Sequence, residues 1–302
     1  MRQVAPAGEG PHTLVGPADA VIGWDASFFP AAERLPATLL VGALIVGLFL
    51  VFAAVGPWLA PYDVEEFHRK DALQAPSAGY WFGTDRYGRD IFSRVLVGSR
   101  TTVSMALAGT LLGLGGGLLI GLVSGYVGGR LDELLMRGMD VVMSFPSLLL
   151  ALLVVAMLGA NAVNAILSIG IVFIPRVARV VRSAALGLRT AEFVEASQVR
   201  GERASYILFR EILPNLWPPI IVEGSIRMSY AVLLSVSLSY LGLGAQPPTP
   251  DWGLMVSKER AFLVLAPWVV LFPAGAIVTL IMGVNLLGDG LRDRLMARKS
   301  RD

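Results

Sequence analysis

The chain has 302 residues, 55% of them hydrophobic and only 16% charged, with a mean hydropathy of +0.65. Soluble domains carry charge on about a quarter of their residues, so this composition describes a membrane protein. A formal net charge of +2 gives no basis for nucleic-acid binding, and with no cysteine and only His12 and His68 the chain can build neither thiol chemistry nor an intramembrane histidine metal site.

Residues 1–35 are rich in Pro, Gly and Ala and lack the apolar core of a secretory signal. They are expected to form a disordered cytoplasmic tail whose Trp24, Phe28 and Phe29 rest at the membrane surface or meet a partner. The remainder, 36–302, contains uncharged runs long enough to cross a hydrocarbon core, which takes about 20 apolar residues. Six crossings are expected, at 37–60, 103–127, 141–158, 162–181, 216–243 and 267–287. The third and fourth share a 35-residue run without a charge, divided by a turn at Gly159, Asn161 and Asn164. The fifth carries Glu223 and Arg227.

Within the second run, Gly109, Gly113, Gly117, Gly121, Gly125 and Gly129 recur every four residues and form one stripe along a helix. Such a stripe lets another backbone approach closely, either within the chain or from a partner. Glu223 and Arg227 share a helix face and can pair. Ionisable groups in a span mark functional paths by default, so the pair is either structural or lines or gates a polar pathway. With the N-terminus inside, 16 basic residues lie on the cytoplasmic side and 8 outside, and the 8 outside are matched by 8 acids. Both termini are therefore expected in the cytoplasm.

Three loops connect these runs: an external one at 61–100, a cytoplasmic one at 182–215 and an external one at 243–266. In the first, Gly83, Thr84 and Asp85 make a turn, and beyond Gly88 a short amphipathic segment begins, with Ile91 and Val95 opposite Arg89, Asp90 and Arg94. By itself it describes an interfacial helix. In the cytoplasmic loop, Thr190 is expected to cap a helix that Gly201 ends, and a second segment runs from Glu202 to Leu213 before Pro214. Phe193, Ala196 and Val199 give the first of these an apolar side, suited to a groove in another protein.

Glu195, Ala196 and Ser197, followed by Gly201 and then by Ile212, Leu213 and Pro214, resemble the EAA motif of ABC-importer permeases. Ser197 stands where the motif has alanine, and Glu211 where related proteins often have a basic or polar residue. The run from Gly83 through Gly88, Arg89, Asp90, Ser93 and Arg94 is similar to the external signature of the dipeptide, oligopeptide and nickel transporter permeases. So are LSYLGLGAQPPTPDWGLM at 238–255 and NLLGDGLRDRL at 285–295. The pattern is most like the second, C-type permease, although Ser235 stands where that subgroup commonly has an acid.

The resemblance implies an all-α type I ABC importer fold with six transmembrane helices in a bacterial inner membrane. It also implies a second permease to complete the pathway, two ATP-binding subunits, an extracytoplasmic binding protein, and a peptide substrate, with nickel complexes or glutathione as alternatives. Glu195 would contact the ATPase, Ala196 would pack closely, Gly201 would form the bend, and Leu213 and Pro214 would anchor the second arm. The chain has no Gly-Lys dipeptide and hence no phosphate-binding loop, so ATP and Mg would bind to partner subunits. Two competing classes are an ion-coupled secondary transporter using Glu223 and an integral-membrane enzyme. The former should show internal repeats, and the latter needs a catalytic constellation that these residues do not offer.

Overall fold

In hydrocarbon a backbone must satisfy its polar groups within the segment, and for apolar runs of this length that means helices. The computed structural model describes residues 36–299, with side chains as far as 295. The tail expected over 1–35, with Trp24, Phe28 and Phe29, lies outside the described residues. Among these residues there are helices, loops and one isolated antiparallel bridge, Thr84 with Asp90. Five helices are long and apolar enough to span a bilayer, and a bent pair makes a sixth crossing if its two halves are taken together.

The helices are α1 (Ala37–Leu59), α2 (Ile91–Val127), α3 (Gly129–Met143), α4 (Ser147–Leu158), α5 (Ala162–Leu188), α6 (Glu192–Val199), α7 (Ala204–Tyr206), α8 (Leu213–Asn215), α9 (Trp217–Tyr240), α10 (Trp252–Glu259) and α11 (Trp268–Lys299). A π-helical turn, Ile207–Ile212, joins α7 to α8. Two expectations are corrected at the boundaries. The amphipathic segment beyond Gly88 is not a separate interfacial helix but the first turns of α2, which runs for 37 residues. The loop expected over 61–100 therefore closes at 90. The cause is Asp90, whose Oδ2 accepts from the Ser93 backbone N–H at 2.8 Å and so starts the helix there.

The third crossing also differs. The uncharged run from 141 does not form one straight span, because α3 and α4 meet at 90° around Phe145 and Pro146. Proline disfavours a helical residue before it and has no N–H to continue the ladder. The 12 residues of α4 rise only about 18 Å, too little for a core of about 30 Å.

The glycine stripe is an interface inside the chain. A Cβ at Gly109 would lie 2.6 Å from the Ile169 side chain, at Gly113 2.6 Å from Phe173 Cβ, at Gly117 2.5 Å from Val177 Cβ, at Gly121 2.7 Å from Val181 Cβ and at Gly125 2.8 Å from Ala185 Cβ. Both sets of positions step by four in the same direction, so α2 and α5 run parallel with backbones almost touching. Gly129, the last of the stripe, faces open space and begins α3. On the other flank α1 packs on α11, where a Cβ at Gly42 would lie 2.3 Å from the Leu287 backbone and one at Gly290 2.6 Å from that of Leu39.

Two apolar cores divide this bundle. The larger includes Phe49, Ile169, Phe173, Leu238 and Trp252. The smaller gathers Leu122, Val177, Val181, Val194, Ile207, Ile212 and Leu216 at the opposite end, where the segment between α5 and α9 folds back.

Candidate functional site

That segment is the helix pair anticipated around Gly201. Thr190 does not cap it: α6 follows Ala191, without a side-chain cap. Gly201 does hold the left-handed conformation, φ 75°, with open space around it, and ends α6. Beyond it the second arm is not a uniform helix, since the π-helical turn occupies its middle. Such turns carry an extra residue per turn and are frequent at functional sites.

Two faces of α6 have opposite fates. Val194 and Ser197 are fully buried against the smaller core. Glu192, Glu195 and Ala196 are exposed, as are Phe193 (38%) and Val199 (88%). The apolar side read from the spacing of Phe193, Ala196 and Val199 thus points away from the chain. Ile212 is buried, Leu213 half-buried and Pro214 exposed, and within three residues the backbone has entered α9.

Ser197 and Glu211, the two departures from the motif, are partners. Ser197 Oγ lies 3.1 Å from Glu211 Oε1 and 3.0 Å from Phe193 O, either of which can accept its single proton, while Arg200 Nη2 donates to Ser197 Oγ at 2.7 Å. Arg200 also sits 3.6 Å from Glu211. A serine hydroxyl at the buried position gives the glutamate of the second arm a donor, so one substitution accommodates the other. The two arms are clipped together across Gly201.

Glu223 and Arg227 pair at 2.7 Å within α9, both largely buried, and neither closest atom has a hydrogen-bonding partner among the described residues. The Arg227 guanidinium lies 5.8 Å from the Phe173 ring centroid and 5.5 Å from that of Tyr230. An ion-coupled transporter would need a carboxylate free to take its ion, whereas Glu223 is already neutralised by its neighbour. Arg227 lines a cavity of about 500 Å³ between α4, α5 and α9, together with Arg176. Arg176 falls inside the crossing expected at 162–181 but was tallied with the cytoplasmic arginines rather than singled out as a residue within the span. The structure continues α5 to Leu188 and leaves Arg176 in mid-helix, one residue after Pro175.

The signature residues of the loop between α1 and α2, and of the first turn of α2, turn inward. Asp85 accepts from the backbone N–H groups of Tyr87 at 2.8 Å and Arg89 at 3.0 Å, and from Arg89 Nε at 2.6 Å. Thr84 is buried, donating to Asp71 O and accepting from Gln74 N. Gly83 and Gly88 have φ of 74° and 78°, and a Cβ on Gly88 would lie 1.9 Å from His68 O. Ser93 Oγ bonds Asp90 at 2.6 Å and accepts from Tyr62 N at 3.1 Å, and Arg94 Nη1 reaches Val64 O at 2.7 Å.

The loop between α9 and α10 is tied to α2 in the same manner. Buried Trp252 donates to Val95 O at 2.8 Å, and Thr102 Oγ1 lies 3.2 Å from Asp251 Oδ2. Burial pushes the Asp251 carboxyl up from its ordinary value, against its hydrogen bonds. Glu259 is likewise raised, by burial first and by the charge of Asp85, with Arg86 at 3.4 Å opposing. These loops enclose a second cavity of about 490 Å³.

Residues 117–301 match the family described as binding-protein-dependent transport system inner membrane component. Residues 38–76 match the N-terminal TM domain of oligopeptide transport permease C. The chain is 40% identical over 291 residues to the dipeptide transport system permease protein of Alkalihalophilus pseudofirmus, covering 96% of this chain and 93% of that one. It is 42% identical to the glutathione transport system permease protein of Pectobacterium atrosepticum, over 84% of this chain and 86% of the relative. The corresponding protein of Escherichia coli is 45% identical, over 85% of each. Among solved structures, inward facing conformations of the MetNI methionine ABC transporter share the fold, with a TM-score of 0.55 at 18% identity, over 67% of this chain and 96% of that one.

Proposed function

The chain belongs to the binding-protein-dependent transport system inner membrane components, and we propose that it forms one half of the translocation pathway of an ATP-driven importer for short peptides or glutathione. It is a transport permease subunit. The second half would come from another permease, the energy from two cytoplasmic ATP-binding subunits, and the substrate from an extracytoplasmic binding protein. Both termini and the α6 helix would then lie in the cytoplasm, as the distribution of basic residues favours.

The observation that carries this proposal is the division of α6. One face is anchored by Val194 and Ser197, while the other presents Phe193, Ala196 and Val199 beside Glu192 and Glu195, with nothing among the described residues to cover them. A short amphipathic helix fixed from behind suits a groove in a partner. Glu195 would make the polar contact and Ala196 the close approach. Displacement of α6 on closure of the ATPase pair would pass through Gly201 and the Ser197–Glu211 clip to Leu213 and Pro214, and so into α9 as a rigid-body tilt.

Co-expression with its neighbouring transporter subunits tests the proposal. The chain should co-purify with an ATPase and a second permease, and Gly201→Val should leave that assembly intact while uncoupling ATP hydrolysis from import. A chain that purifies alone from such a co-expression, or unaltered coupling in Gly201→Val, would overturn the assignment.

A further inference from the structure

We propose that the cavity between α4, α5 and α9 is a carboxylate-binding station on the translocation route, formed by Arg176, Arg227 and the N-terminus of α4; this rests on the permease function proposed above. The three contributors lie at one level. Ser147, the first residue of α4, is about 17 Å from that helix's far end at Leu158, Arg176 about 21 Å from the start of α5 at Ala162, and Arg227 about 20 Å from the end of α9 at Tyr240. All these helix ends lie on the side of the bundle that carries the long loops, so the cavity sits deep within a core of about 30 Å.

The cavity is about 500 Å³ and is lined by Ser147, Phe173, Arg176, Arg227, Tyr230 and Ser237, among other residues. Among the described residues no acid lines it: Glu223 pairs with Arg227 and is not part of the cavity lining. Arg176 donates to Ser147 Oγ at 3.0 Å, and among the described residues no carboxylate pairs with it. Charged residues at this depth face a water-filled path rather than lipid. The break at Pro146 aims the first turn of α4, whose N–H groups have no partner within the helix, at the same space. Interrupted helices in transporters present this positive end to anionic substrate groups.

Net positive charge, planar guanidinium donors and a helix N-terminus select a carboxylate, and every peptide with a free C-terminus carries one, as does glutathione. The electrostatics also limit the hold. One of the two arginines is already neutralised by Glu223, so a passing carboxylate meets one unpaired cation, not two. Binding is thereby selective without being tight enough to arrest transport.

The test uses the chain assembled with its partner permease and ATPases in nanodiscs, without the binding protein. Equilibrium binding of radiolabelled dialanine, dialanine amide and glutathione is measured. The wild-type complex should bind dialanine or glutathione about 10-fold or more tightly than the amide, as expected for a charge-assisted hydrogen bond. Arg176→Gln should abolish the difference, and Arg176→Lys should keep part of it. Removing only Arg227 would leave Glu223 buried and unpaired, so the paired change Glu223→Gln with Arg227→Gln serves there and should also weaken the preference. Tighter binding of glutathione than of dialanine would name the source of the carboxylate. Equal binding of acid and amide by the wild type, no binding of any probe, or a preference that survives in Arg176→Gln would overturn the station. Import of the same substrates by liposomes containing the wild-type complex and binding protein reports on the permease function separately.

Discussion

The two ends of the bundle carry sequence signatures of similar strength and use them in opposite ways. At the end with the long loops, Thr84, Asp85, Asp90, Ser93 and Asp251 turn their polar atoms onto neighbouring backbone or side chains and are buried. At the other end, α6 buries only Val194 and Ser197 and leaves its charged and apolar outer face exposed. A signature whose groups are consumed internally specifies a shape. One whose groups remain uncovered specifies a contact. Substitutions at the first end should therefore destabilise the chain, and substitutions on the exposed face of α6 should spare the fold and impair assembly or coupling.

The largest expected effect is at Gly88. Any side chain there meets His68 O as well as an unfavourable φ, so Gly88→Val should cost about 3 kcal/mol or more and lower the thermal midpoint of the purified chain sharply. An unchanged midpoint would erase the contrast between the two ends. Next, Asp251→Ala removes the cap of α10 and the tie to Thr102. A loss of about 2 kcal/mol is expected, visible as faster amide exchange in the loop between α9 and α11.

At the α6 end, a double-mutant cycle on Ser197→Ala and Glu211→Ala should give a coupling of about 1 kcal/mol, measured by chemical unfolding of the isolated chain. Additive effects would mean that the two arms are not clipped. The smallest effect concerns pH. Because the Glu259 carboxyl is raised in the folded chain, the fold binds a proton more readily than the unfolded state does. The proton-linked stability is then present below the ordinary glutamate value and falls as pH rises through the raised one. Mild acidification should slow exchange in the long-loop end, and Glu259→Gln should flatten that dependence.

Legibility in the sequence followed the same division. The four-residue spacing of the glycines predicted a close interface correctly, since spacing on a helix is local geometry; which helix fills the stripe is tertiary information, and it proved to be α5. The bend between α3 and α4 was hidden because a long uncharged run looks alike whether straight or broken, although Pro146 was the available signal. The start of α2 was misplaced for a related reason: hydropathy finds the apolar part of a helix, and Asp90 caps it three turns earlier. On α6 the outward face was legible from the spacing of Phe193, Ala196 and Val199. The pairing of Ser197 with Glu211 was not, because it crosses the turn at Gly201. Arg176 lay inside the crossing expected at 162–181 but was tallied with the cytoplasmic arginines, and only the packing of α5 against α4 and α9 shows that it lines a cavity.

The outer face of α6 as a docking surface is the central claim, and the absence of cysteine makes it directly measurable. Val199→Cys would place a single thiol at the most exposed large apolar position of that helix. Its labelling by a maleimide should be fast in the isolated chain and at least tenfold slower in the complex with the ATPases, while a control thiol at Trp81→Cys, on the opposite end, labels equally in both. Equal labelling of the residue-199 thiol with and without the ATPases would contradict the account.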